Sequence, residues 1–277
     1  FYLGTGMKKA PVFPCVETDV RWKSGSDWNT SSTNFTTYDQ TTTKAYTSGQ
    51  SVLFDISGAN SAAINISGAL TPKALYLMNP KGHDYQFAGT GSLSGTMTLT
   101  KGMQGTAIFN TPFDFTGKTV ISEGTLAVNS TIAGPVYLMS RGTLAGNPVL
   151  NGNIYFEGAL DYTGCRLSPG TADSKYGVIT VNHDLTLPGD VYVETDINTS
   201  NSKIDQLVVK GNLTLKGTTT FTIDADVTQL PAGTYTLATC TGTLTANASD
   251  SVIKNADGVP DTVQVGEHDI PLLVDVQ

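Results

Sequence analysis

The sequence predicts an all-β protein, a parallel β-solenoid closed by an N-terminal cap. Three observations carry that expectation. The composition favours short strands and tight turns, the chain repeats itself at short intervals, and apolar residues alternate with a period of two inside each repeat.

The 277 residues include 41 Thr and 29 Gly, whereas charged residues make up 14% and Arg occurs three times. Thr and Val suit a pleated, half-buried surface, and Gly and Asn supply turns. A helical enzyme would draw more on Glu, Lys, Leu and Ala. The net charge is −8, so no stripe of Lys and Arg exists to neutralise phosphates, and nucleic acid is excluded as a partner. No apolar run reaches the roughly 18 residues of a membrane-spanning helix, so no membrane insertion is expected. Cys15, Cys165 and Cys240 allow one disulfide at most, and burial as free thiols is the alternative. The chain opens at Phe1. It is read as a piece of a longer protein, whose other domains are its first partners. A surface poor in charge and rich in Thr, Ser, Asn and Gly suits an extracellular or cell-surface location.

The repeats set the architecture. Gly124-Thr125-Leu126-Ala127-Val128-Asn129 returns 18 residues later as Gly142-Thr143-Leu144-Ala145-Gly146-Asn147, and seven of the sixteen positions from 124 to 139 are identical to their counterparts. A second repeat is offset by 28, with Ile179–Leu187 returning as Leu207–Leu215, then Gly189 as Gly217 and Asp196 as Asp224. Leu185/Leu187, Leu213/Leu215, Val191/Val193 and Phe221/Ile223 alternate with polar neighbours. Period two means strand, with one face apolar. One such strand cannot bury that face alone, but stacked coils place Leu on Leu and Val on Val and satisfy the backbone between neighbours. Asn129 and Asn147 should then form a ladder at a turn. An antiparallel sandwich or propeller is the rival, although an 18-residue unit is too short for a four-stranded blade.

Along the chain, residues 1–50 read as lead-in and solenoid cap, and 51–277 as the stack. Residues 20–50 hold both tryptophans, Trp22 and Trp28. Strands are expected around Val52–Phe54, Ala63–Ile66, Ala74–Leu77, Met97–Leu99 and Val120–Ile121, with a last one over Ile270–Val276. Residues 200–206 and 246–262 are expected to be loops or bulged coils.

These segments resemble the autotransporter-associated β-strand repeat family of bacterial surface proteins. The likeness rests on Arg21-Trp22-Lys23-Ser24-Gly25-Ser26-Asp27-Trp28-Asn29, Ser51-Val52-Leu53-Phe54-Asp55, Gly89–Leu93 through Met97-Thr98-Leu99-Thr100-Lys101, and Phe115–Leu126. It continues through Leu167-Ser168-Pro169-Gly170 with Gly177–Val181, Asp205–Val209 and Gly233–Leu237, covering about residues 20 to 245. Gly105–Asn110 departs from the family pattern, so that coil is expected to be irregular. The resemblance implies a single-stranded, right-handed parallel β-helix in a secreted or surface protein, beside polysaccharide-degrading or carbohydrate-binding units. The function expected is a non-catalytic spacer or adhesin-like interaction module; the alternative is a carbohydrate-binding or polysaccharide-lyase-associated module acting on plant or host glycans.

Two candidate sites follow. The offset of 28 stacks Asp196 on Asp224 and Asn198 on Asp226, four oxygen ligands on one face that suit a structural Ca²⁺, against a solvated acidic turn as the plainer reading. Trp22, Trp28, Tyr38 and Tyr46 could stack on sugar rings as a carbohydrate-binding platform, or else cover the open end of the solenoid. His83, His183 and His268 stand singly, each followed by Asp, which suits turns better than catalysis. Ser168 lies in a Leu-Ser-Pro-Gly turn without the glycines of a nucleophile elbow.

Overall fold

The structure, a computed structural model, describes residues 18–60, 63–157, 164–171, 175–198, 200–201, 203–225, 230–246, 251–255 and 262–274. Among these residues there is no helix, and the strands gather into sheets of nine, eleven, ten and three strands. The lead-in residues 1–17, with Cys15, lie outside the described residues.

One coil shows how the sequence makes the fold. Thr119–Ile121 lies in the nine-strand sheet, Gly124–Val128 in the eleven-strand sheet and Thr131–Ile132 in the ten-strand sheet. The next strand, Val136–Met139, returns beside Thr119–Ile121 in parallel. Each coil thus spends one short strand on each of three faces. Alternate residues point inward because side chains switch faces at every residue.

Stacking follows the repeats residue by residue. Gly124 pairs with Gly142 and Leu126 with Leu144; Ile179 pairs with Leu207 and Leu185 with Leu213. Inside, Leu70, Leu93, Phe113, Ile132, Leu150, Val181 and Val209 form one unbroken column down the ten-strand sheet, all buried. On the eleven-strand sheet Leu126, Leu144, Leu167, Val193 and Phe221 do the same, and Phe87 stacks flat on Phe109 at 4.2 Å between ring centres.

Polar residues obey the same register at the turns. Asn129 Nδ2 donates to Asn110 Oδ1 at 2.6 Å, and Asn147 Nδ2 to Asn129 Oδ1 at 3.2 Å. Asn147 Oδ1 then accepts from the Val178 amide at 2.9 Å. The ladder expected from Asn129 and Asn147 is present and one step longer at each end. Further round, Asp184 accepts from the Asn212 amide, and Asn212 Oδ1 from the Thr243 amide.

Lys101 breaks the pattern. It occupies an inward position between Leu77 and Ile121 and is fully buried. Its stem fills the apolar column while the amine donates to the carbonyls of Gly102, Met103 and Glu123 at the corner. Burial pulls its pKa down to about 8, against the pull of Glu123 and Asp84.

Both ends of the stack carry antiparallel strands. Phe35–Thr36 pairs antiparallel with Val20–Trp22, and Thr43–Lys44 with Phe35–Thr36. Asp269–Val274 pairs antiparallel with Gly233–Cys240, and Thr262–Val263 adds to it. Such strands cover a parallel edge that would otherwise recruit another chain. Two expectations need correction. Thr106–Phe109, in the segment expected to be irregular, is a regular strand paired on both sides, because Ala107 and Phe109 fit the inner columns. Within 200–206, Lys203–Ile204 folds back antiparallel on Ile197 and Asn198; within 246–262, Ser251–Asn255 joins the eleven-strand sheet. Cys165 and Cys240 are free, buried thiols.

The register makes two positions stringent. A Cβ at Gly134 would collide with the carbonyl oxygen of Gly117, and one at Gly152 with that of Gly134, so Gly134→Ala should cost several kcal/mol by forcing coils apart. Leu144→Ala, which empties one level of the column, should cost about 3 kcal/mol. Urea denaturation of both variants checks this; losses below about 1 kcal/mol would mean the coils do not depend on this register.

Candidate functional site

The outer face of the eleven-strand sheet carries the densest chemistry. Its central coils present small side chains outward: Thr125 and Ala127, then Thr143 and Ala145 in register. From there the coils lengthen again. Residues stacked on one another are 18 apart at Leu126/Leu144, 23 at Leu144/Leu167, 26 at Leu167/Val193 and 28 at Val193/Phe221. Among the described residues, Ser168, Pro169, Gly170, Thr171 and Lys175 border this face.

One wall is the Leu-Ser-Pro-Gly turn. Gly170, at φ 86°, exchanges both backbone hydrogen bonds with Gly146 at 2.8 Å, a conformation that favours glycine. Together with Lys175 it borders a groove of about 440 Å³ running from Thr106 and Ile108 over Thr125, Ala127 and Ala145 to Ser168 and Asp196.

The charged end of this groove was only partly visible in the sequence. Arg166 Nη1 meets Glu194 Oε1 at 2.7 Å, and its guanidinium lies 4.7 Å over the Tyr192 ring. Lys175 Nζ stands 4.0 Å from Asp196 Oδ1. Asp205 is buried, with 2% of its surface exposed. Its carboxylate accepts from the Gly177 amide at 2.6 Å and the Asp196 amide at 3.1 Å, which ties the fold-back after Asp196 to the neighbouring coil. Burial pushes the Asp205 carboxyl up to about 7; the two amides and Lys175 oppose this, and the charge of Asp196 adds to it. A cleft of about 250 Å³ lies between Ser168, Glu194, Asp196, Asp205, Thr222 and Asp224. Arg166 and Asp205 escaped sequence reasoning because neither lies near Asp196 in the repeat alignment; Arg166 is brought there only by the pairing of adjacent coils.

Of the four positions read as a Ca²⁺ set, Asp196 and Asp224 are paired in register. Asn198 Oδ1 accepts from the Ser200 amide in a local turn, and Asp226 lies outside the described residues. Among the described residues no three His, Cys, Asp or Glu side chains converge to hold a metal ion.

The aromatic platform is corrected. Trp22, Trp28 and Tyr46 are fully buried, packed on Phe35 and Phe54 at ring-centre distances of 5.2 to 6.3 Å. Their faces serve the core at the first coils, because large aromatic area is what the end of a column needs. Tyr38 is half-buried beneath the Arg21 guanidinium at 4.8 Å. The histidines pair with backbone carbonyls: His83 with Gly58, His183 with Asn151 and His268 with Gly242.

These features define a parallel β-solenoid whose outer face is grooved at one corner. No family model matches the chain, and no curated protein matches it.

The position of Asp205 gives a signed prediction. Its folded pKa lies above its ordinary value of 3.8, so the folded state holds a proton that the unfolded chain releases between pH ~4 and ~7. Its contribution to stability is therefore full below pH ~4 and falls as pH rises through ~7. Relative to wild type, Asp205→Asn should gain several degrees in Tm between pH 4 and 7.5; parallel Tm curves for the two proteins would refute the buried-acid assignment.

Proposed function

We propose that the chain is a non-catalytic, exported module of autotransporter-associated type, held at the cell surface or secreted, serving as a rigid spacer and interaction element. The observation that carries this reading is the unbroken inner column, which couples every coil to the next. Ten of the eleven strands follow one another along the stack, and at about 4.8 Å spacing they give a length of roughly 43 Å. Antiparallel strands add to the N-terminal side of the nine-strand sheet and the C-terminal side of the ten-strand sheet, and cover those edges. We take the coil to be right-handed, since parallel strand–crossover–strand connections nearly always are.

The groove over Thr125, Ala127, Ala145 and Ser168 supports a second reading, a carbohydrate-binding or polysaccharide-lyase-associated module. It is open and elongated and ends on the Lys175–Asp196 pair, a shape that suits an extended glycan. Small-angle scattering should give a single rod-like particle with the same profile from pH 5 to 8. A flexible or multi-state profile would overturn the spacer reading. Glycan-array binding with and without Ca²⁺ addresses the second reading; saturable binding that is lost in Ser168→Tyr would place a glycan in the groove and make interaction the primary role.

A further inference from the structure

We infer that a second surface, the step where the nine-strand sheet ends, is a binding site for an uncharged pyranose chain, seated on Tyr155. The step arises from topology. Ile154–Glu157 is the last strand of the nine-strand sheet, and the three-strand sheet begins separately at Leu185–Pro188. Tyr155 is paired with Tyr137 in register, and their rings stack at 5.0 Å between centres with 23° between planes. One face of Tyr155 is therefore braced by Tyr137. Among the described residues, no further strand of its sheet lies on the other side, and Tyr155 remains 43% exposed, one of three large apolar residues so placed there.

Beside it lies a cleft of about 690 Å³ lined by Asn153, Asn182, His183, Asp184, Thr186 and Lys210, within the range of small-ligand sites. Asn153 Nδ2 donates to the Tyr155 hydroxyl at 3.2 Å and fixes the ring edge. Asn182 Nδ2 is engaged with Asn151 Oδ1 at 2.6 Å, while Asn182 Oδ1 is buried without a partner. Bonds from Asn212 hold the Asp184 carboxyl below its ordinary range, so it is ionised at neutral pH.

The chemistry selects the ligand class. A held aromatic face offers the flat, apolar contact that the C–H face of a pyranose ring needs. Amide, hydroxyl, carboxylate and ammonium groups around it supply both donors and acceptors for sugar hydroxyls. The carboxylate of Asp184 and the ammonium of Lys210 balance, leaving the cleft near neutral, and the chain's net charge of −8 repels polyanions. An uncharged glycan fits these conditions; an acidic glycan or a nucleic acid does not. The inference shares only the ligand class with the second reading above and places it on different residues.

The test uses the full chain and isothermal titration with cellohexaose, xylohexaose, mannohexaose and maltohexaose, with polygalacturonate as the acidic comparator. At least one neutral hexaose should bind saturably. Tyr155→Ala should weaken that binding about tenfold or more, and Tyr155→Phe, which keeps the stacking face, should stay within about twofold. Because Tyr155 is exposed, the Ala variant should fold with an unchanged circular dichroism spectrum, so lost binding cannot be laid to unfolding. Ser168→Tyr, in the other groove, should leave the affinity unchanged. No binding by any neutral hexaose, preference for polygalacturonate, or self-association that Tyr155→Ala abolishes would overturn the inference. Loss in Ser168→Tyr with binding retained in Tyr155→Ala would also overturn it, while leaving the groove reading intact.

Discussion

Every coil of this protein must place the same kind of side chain above and below its neighbour at the spacing of one strand. That single constraint organises the rest. Parallel pairing makes the backbone of each coil the hydrogen-bonding partner of the next, so a shift of one residue would turn a whole column of Leu, Ile and Phe outward. Leu70 through Val209 shows the rule met at seven successive levels. The stacked Asn ladder at the turns and the glycine column at Gly117, Gly134 and Gly152 are the polar and steric forms of the same rule.

The constraint also explains the exceptions. Lys101 stands where an apolar residue belongs, yet its long stem maintains the column and its amine meets three corner carbonyls. A buried ammonium without such acceptors would be strongly disfavoured. Asp205 is the converse case: a carboxylate drawn into the interior to satisfy two amides where the chain leaves and rejoins the stack. Both residues sit where coils turn, because corners are where backbone groups lose their ladder partners.

Function follows from where the stack changes. A uniform solenoid would offer only rows of small polar residues. On the eleven-strand face the Leu-Ser-Pro-Gly turn and Lys175 border the groove, and the end of the nine-strand sheet leaves the Tyr137–Tyr155 stack beside a cleft. Surface chemistry is therefore concentrated at two interruptions of the repeat, while the regular coils supply a stiff support for both.

The amino-acid sequence alone determined the strand period, the pairing of Gly124 with Gly142 and of Leu185 with Leu213, and the Asn129–Asn147 ladder. Each is written in the repeat, since residues of matching size and bonding capacity must coincide when coils stack. It also placed Asp196 opposite Asp224. Only the tertiary structure decided that Trp22, Trp28 and Tyr46 lie inside, because an aromatic residue at the end of a stack suits either the core or the surface by composition. The same holds for Arg166 beside Glu194, for Asp205 and for the exposed face of Tyr155. Their surroundings depend on coil lengths and on where sheets stop, quantities that local patterning does not encode.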